Sequence, residues 1–294
     1  MSKIAVIIKT TPKRKSLLWV INSIELSLDN YRLYIADEEP IDDWKEELYE
    51  KLKQEGHFIK IWNERIAVTK ARNYLISQLQ DENYVMRLDD DFELGGEFNI
   101  QNMLTLLERD DIDFCADIER QIGEGKNINS GSLRIESGQV KFIDNSPPNL
   151  IMKKDSAWKY NAYKGVRYAK ADYMRNLILI KRHCFAKVKW NENLKFTGEH
   201  LDFYLSLKAM GFQGAFTRDS IHLHRDDLKQ VSIDVKEEKK WRHLERIKIK
   251  TIEYNRKWNG EPVKKYWFGK RLISVLKKLL LKVDKYLFRG VKNN

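Results

Sequence analysis

The sequence predicts an α/β fold: a mainly parallel sheet covered by helices on both faces. Strand-like apolar runs alternate with helix-like segments through the first ninety residues. The segments between strands are long enough to be helical crossovers rather than hairpins. Polar residues gather just after several strands, where open parallel sheets bind their ligands.

Each element has its own signal. "KIAVIIKTT" reads as a buried strand, and "PKRKSLLWVINSIELSL" follows with apolar residues at 17, 18, 20, 21, 24 and 28, a helical spacing. "YRLYIADEEP" is a second strand ending in acids and proline, and "IDDWKEELYEKLKQEG" is a helix stopped by glycine. "HFIKIW" is a third strand, "ERIAVTKARNYLISQLQDE" a helix, and "NYVMRL" a strand that runs into Asp89, Asp90 and Asp91. Thr10 with Thr11, and Asp37 with Glu38, lie at two further strand ends. Three strands therefore supply polar groups to one crevice.

Residues 100 to 170 are less regular. A helix is expected at "NIQNMLTLLERD", a strand at "DIDFCADIE", a loop at "QIGEGKNINSGS" and a hairpin at "SLRIESGQVKFID". "NSPPNLIMKKDSAWKYNAYKGVRYAKADY" has the aromatic and basic make-up of a flexible segment over a binding cleft. Beyond it, "LILI" reads as a strand, "EHLDFYLSLKAMG" as a helix from Glu199 to a stop at Gly211, and "GAFTRDSIHLH" as a last strand.

Composition narrows the function. Cys115 and Cys184 stand in apolar neighbourhoods, too few for a disulfide framework, so two buried thiols in a reducing compartment are expected. No apolar run approaches the ~18–20 residues of a spanning helix, and "IAVII" is too short for a signal-peptide core. A cytoplasmic protein is expected, resting at most on a membrane face. Residues 264–294 hold ten Lys and Arg against one acid, +9 of the chain's +11. Basic character thus belongs to the tail, which argues against a nucleic-acid-binding surface.

Adjacent carboxylates raise each other's pKa unless something positive compensates, so the triple aspartate implies a nearby cation or donors. Glu199, His200 and Asp202 cluster at a helix N-terminus, whose dipole favours carboxylates. His222 and His224 are two apart in a strand, so both imidazoles face one side. Carboxylates and histidine together suit Mn²⁺ and similar ions.

Taken together, these segments resemble the nucleotide-sugar glycosyltransferases of the GT-A type, family 2, over roughly residues 3 to 228. "IAVIIKTTPKRKSLLWVINSI" is similar to the family's opening strand and helix, "YIADEE" to its nucleotide-contacting acidic turn, "ERIAVTKARNYLI" to its Ala-Arg-Asn segment and "RLDDDFEL" to its DXD motif. The later stretch is most similar to the β-1,4-N-acetylgalactosaminyltransferase-like branch, where a Glu-His pair stands in place of the usual Glu-Asp. The resemblance implies a Rossmann-like, mixed but mainly parallel GT-A domain over 1–228; the sequence itself adds a helical, basic, amphipathic extension over 229–294. Asp91, with His224 or His222, would hold Mn²⁺ or Mg²⁺. Thr10, Thr11, Arg14, Asp37, Arg72, Asp89 and Asp90 would line the donor-nucleotide site, with Thr10 and Asp37 at the base and Arg72 near the phosphates or bracing Asp91. The base that deprotonates the acceptor would be Glu199, His200 or Asp202. Because a carboxylate at a helix N-terminus has a lowered pKa, that reasoning favours His200, whereas the family branch favours Glu199.

The implied reaction is inverting transfer of a hexose or N-acetylhexosamine, with UDP as the expected carrier, to a glycan or lipid-linked acceptor in surface polysaccharide synthesis. The tail sets Leu272, Leu276, Leu279, Leu280, Val283 and Leu287 on one helical face and lysines on the other, as does a helix that lies in an anionic membrane surface or packs on a partner or on its own domain. A sugar-nucleotide nucleotidyltransferase would share the sheet and acids, but "TTPKRKS" lacks a glycine-rich phosphate loop. An inactive glycan-binding relative is a further alternative, which the retained acids and histidines argue against.

Overall fold

The structure is a computed structural model that describes residues 3–12, 15–122, 126–128, 132–136, 139–144, 160–174, 177–194 and 199–225. Arg14, residues 229–294 with their expected membrane-binding helix, and the stretch 145–159 lie outside the described residues.

The expected alternation is present. Strand β1 (Ile4–Lys9) leads to helix α1 (Ser16–Ser27), β2 (Tyr31–Glu38) to α2 (Asp43–Gln54), and β3 (Phe58–Trp62) to α3 (Val68–Ser77) and β4 (Tyr84–Asp89). These four strands are parallel in the order β3-β2-β1-β4, with Lys9 in register with Ala36 and Asp89. Three strand ends carrying Thr10, Asp37 and Asp89 thus open on one edge.

Alternation along β1 divides the core. Ile4, Val6 and Ile8 pack on one face with Leu17, Val20 and Leu52 from α1 and α2. Ala5 and Ile7 pack on the other with Ala71 and Leu75 from α3. A strand covered on both faces needs apolar residues at every position, which is why "IAVII" reads as a continuous run.

The second half of the sheet is mixed. After the short β5 (Phe92–Glu93) and α4 (Ile100–Leu107) come β6 (Phe114–Gln121), β7 (Lys126–Ile128), the separate hairpin β8 (Ser132–Glu136) and β9 (Gln139–Asp144), then β10 (Asn161–Tyr163), β11 (Val166–Lys170) and β12 (Ile178–Lys181). A 3₁₀ turn (Arg182–Ala186), α5 (Glu199–Ala209) and β13 (Gly214–His224) complete it. β12 runs antiparallel between β4 and β6, while β13 is parallel to β6 and pairs at its far end with β5.

Three expectations need correction. The "flexible" segment does not extend over residues 161–170, which form a hairpin on the sheet edge; Lys164 (φ 47°) and Gly165 (φ 84°) make the two-residue turn whose twist suits paired strands. Residues 126–128 of the expected loop form an added strand on β6. Helix α3 starts only at Val68, because Ile66 N–H donates to Glu38 and Ala67 is extended. Among the described residues no helix is long and apolar enough to cross a membrane.

Candidate functional site

Each of the three aspartates has its own partner. Asp89 accepts from Arg72 at 3.0 Å and lies 3.6 Å from Arg87, both guanidiniums almost fully buried beneath it. Asp90 Oδ2 accepts from the Thr10 hydroxyl at 2.7 Å, tying the end of β4 to that of β1. Asp91 Oδ2 lies 3.6 Å from His224 Nε2, and the Asp91 carbonyl accepts from Arg225 N–H. A run of like charges is tolerable because cations and a hydroxyl converge on it from three other elements.

Arg72 belongs to the Ala-Arg-Asn segment, and the structure puts it on Asp89 rather than on Asp91. Its guanidinium stacks over Trp190, whose backbone Asn73 holds with two hydrogen bonds of 2.8 and 3.0 Å. Burial, reinforced by Arg87 and opposed by Asp89, pulls Arg72 down to about 10, so it remains charged at neutral pH.

His224 completes this cluster. Burial alone would lower its pKa, but the bonds to Asp91 and to Glu119, whose Oε1 lies 2.9 Å from Nδ1, raise it to about 10. His222 takes a different partner: its Nδ1 lies 2.6 Å from Asp117, which also accepts from Ser220. Phe92 packs against both imidazoles, with ring centroids 4.9 and 4.8 Å away. Of the two histidines it is His224 that meets Asp91, whereas His222 is bound into the sheet.

Asp37 is sealed. One oxygen accepts from Lys45 at 2.7 Å and Tyr49 at 2.6 Å, the other from the Glu38 N–H, and both Asp37 and Lys45 side chains are 0% exposed. Lys45 also donates to the Thr11 carbonyl. Thr11 therefore contributes backbone here. The structure does not bring the Asp37 carboxylate to the crevice surface.

Glu199, His200 and Asp202 open α5. Asp202 is fully buried, and His200 Nε2 lies 3.2 Å from Glu199 Oε1. Glu199 is itself buried, and burial raises its pKa despite the opposing Arg72. Burial at this position works against the lowering expected of a carboxylate at a helix N-terminus. Arg72, Asp89 and Arg87 are the charges that act on Glu199, so it sits beside the aspartate arm.

Sequence reasoning missed Arg87, Lys45, Asp117 and Glu119. For the last two a signal existed: acids two apart in "FCADIER" match histidines two apart in "SIHLH". The parallel pairing of β6 with β13 that joins them is tertiary.

A mixed sheet with acids, threonine and histidine at its strand ends defines a GT-A-type domain. Solved structures share the fold: GalNAc-T7 with UDP, GalNAc and Mn²⁺ (14% identity, TM-score 0.55, 76% of this chain and 43% of that one) and S. aureus TarS (13% identity, TM-score 0.51, 75% and 36%). The chain thus spans less than half the length of either structure. No curated protein matches it. Residues 5–161 match the model of Glycosyl transferase family 2, and the chain belongs to that family.

Proposed function

We propose that this glycosyltransferase is metal-dependent and inverting, moving a hexose or N-acetylhexosamine from a nucleotide-sugar, UDP-linked in our reading, to a glycan or lipid-linked acceptor of surface polysaccharide synthesis. The observation that carries it is the Asp91–His224–Glu119 chain. Its donor set, a carboxylate and an imidazole whose other nitrogen is fixed by a second carboxylate, is the kind that holds a Mn²⁺-class ion. Asp91 and His224 would hold the ion, which when bound would offset negative charge on the donor diphosphate. GalNAc-T7, of the same fold, was solved with UDP and Mn²⁺.

The chain's own residues account for the rest. Asp89 and Asp90 are held toward the crevice by Arg72 and Thr10, where they would meet the donor's ribose. Glu199 is the base: burial raises its basicity, and it accepts the acceptor hydroxyl's proton as the sugar transfers. His200 adjoins it and positions its carboxylate, while the buried Asp202 stabilises the start of α5. The basic tail would keep the enzyme on the inner face of an anionic membrane.

The test is thermal stability of the full chain with UDP, GDP, CDP and dTDP, each with and without Mn²⁺. A shift with one nucleotide that requires Mn²⁺ and disappears in Asp91→Ala is expected; no shift with any of them would overturn the reading. Glu199→Gln should lower turnover ~10²- to 10⁴-fold with donor affinity unchanged.

A further inference from the structure

At the opposite end of the sheet a second set of ligand-type side chains converges. β12 runs antiparallel to β4, with Lys181 in register with Tyr84. The 3₁₀ turn that follows β12 therefore lies at the start of β4, about 17 Å of strand away from Asp89. In that turn His183 and Cys184 stand side by side, and Asp113 enters from the residue just before β6.

His183 Nε2 is 3.3 Å from Asp113 Oδ1, and Cys184 Sγ is 3.8 Å from His183 Nε2. The three ligand atoms all lie within 4.8 Å of one another. A tetrahedral zinc ion with bonds of about 2.0–2.3 Å sets its ligands roughly 3.3–3.6 Å apart. The two His183 separations approach those values, and the Asp113 and Cys184 ligand atoms lie within 4.8 Å of each other.

The surroundings hold two of the ligands in place. Asp113 Oδ2 accepts from Gln213 N–H at 2.9 Å, which orients the carboxylate and leaves Oδ1 to His183. The His183 ring packs on Phe212 at 5.7 Å. The nearby Lys181 ammonium is turned to the Arg109 carbonyl at 2.9 Å. Of the three, the exposed His183 also lines a cleft of about 730 Å³, with Asn73, Ser77, Tyr84, Lys181 and Lys189, through which solvent reaches its ring.

We propose that Asp113, His183 and Cys184 form a binding site for a zinc-class divalent ion, separate from the donor site and clamping the start of β6 to the turn after β12. Cys184, once its buried thiol gives up its proton to solvent on metal binding, would join an imidazole and a carboxylate in a set that suits a borderline-soft ion rather than Mg²⁺ or Ca²⁺. The donor-site cluster around Asp91 contains no thiol, so the two sites are spectroscopically distinct.

The experiment titrates Co²⁺, as a chromophoric substitute for Zn²⁺, into reduced full-length protein carrying Asp91→Ala, followed by Zn²⁺ competition against a coloured chelator. One equivalent of Co²⁺ should produce a near-ultraviolet thiolate-to-cobalt charge-transfer band that survives Cys115→Ser and is lost in Cys184→Ser. The exposed His183 can be removed with little risk to folding. His183→Ala should weaken Zn²⁺ affinity by at least the ~10- to 100-fold that outer-shell changes alone cause. Absence of the band, its survival in Cys184→Ser, or undiminished Zn²⁺ affinity in His183→Ala would each overturn the assignment. Because Asp91→Ala is the background, these outcomes do not depend on the donor site.

Discussion

Asp37 and Asp91 both stand at carboxyl ends of strands in one sheet, yet their surroundings differ in kind. Asp37 is fully buried between Lys45 and Tyr49, with contacts of 2.6–2.7 Å from both and a backbone donor besides. Asp91 keeps 11% of its side chain exposed and faces His224 at 3.6 Å, wider than a tight hydrogen bond. Asp37 is closed off by a lysine, a tyrosine and a backbone donor, whereas Asp91 meets an imidazole that can give up its proton and make room for an exchangeable cation. Being acidic and at a strand end is not enough to make a ligand site.

That contrast predicts opposite responses to mutation. Lys45→Met should leave Asp37 as an unpaired buried charge and cost about 3–5 kcal/mol of stability, read by urea unfolding. A cost below about 1 kcal/mol would mean that Asp37 has other compensation, and the distinction between the two aspartates would weaken. Burial lowers the Lys45 pKa while Asp37 raises it, so the pair is held by partnership and not by solvent.

Asp91→Ala should do the reverse. Without ligand the loss of stability should be smaller than in Lys45→Met, because His224 keeps Glu119 as a partner, but stabilisation by nucleotide with Mn²⁺, about 2.7 kcal/mol at a hundredfold excess over Kd, should vanish. If Asp91→Ala proved as damaging to the ligand-free fold as Lys45→Met, Asp91 would belong with Asp37 in the scaffold. Tyr49→Phe removes one hydrogen bond to the charged Asp37 and should cost about 1.5 kcal/mol, again by urea unfolding.

How far such a distinction can be read from sequence depends on where the partners lie. β1 to β4 were readable because each strand is buried on both faces and each crossover helix has its own period, so local pattern and tertiary place agree. Strands β6, β12 and β13 were also readable as segments, but their pairing was not. The Asp117–His222 and Glu119–His224 contacts span 105 residues and exist only because β13 lies beside β6. Lys45 sits on a charged helix, "DWKEELYEKLKQ", where its spacing from Tyr49 and Leu52 puts it on the buried face, but its partner Asp37 lies on another element and no local pattern names it. Residues 161–170 looked irregular because an edge hairpin with a Lys-Gly turn tolerates exposed basic and aromatic side chains.

The smallest expected effect concerns Glu199, the carboxylate intermediate between those two extremes. Burial raises its pKa first and Asp89 adds to this, while Arg72, Arg87 and its own backbone bond oppose. A raised folded pKa means that the native state binds more protons than the unfolded chain between the unfolded value near 4.5 and the folded one. Glu199's contribution to stability is therefore fully present below the unfolded value and falls as pH rises through the folded pKa. Wild-type stability minus that of Glu199→Gln, measured by urea unfolding from acid to neutral pH, should decline with pH and then level off. A flat or rising difference would mean that Arg72 and Arg87 outweigh burial. Glu199 would then behave like Asp37, held as an anion by its neighbours and poorly suited to accept a proton.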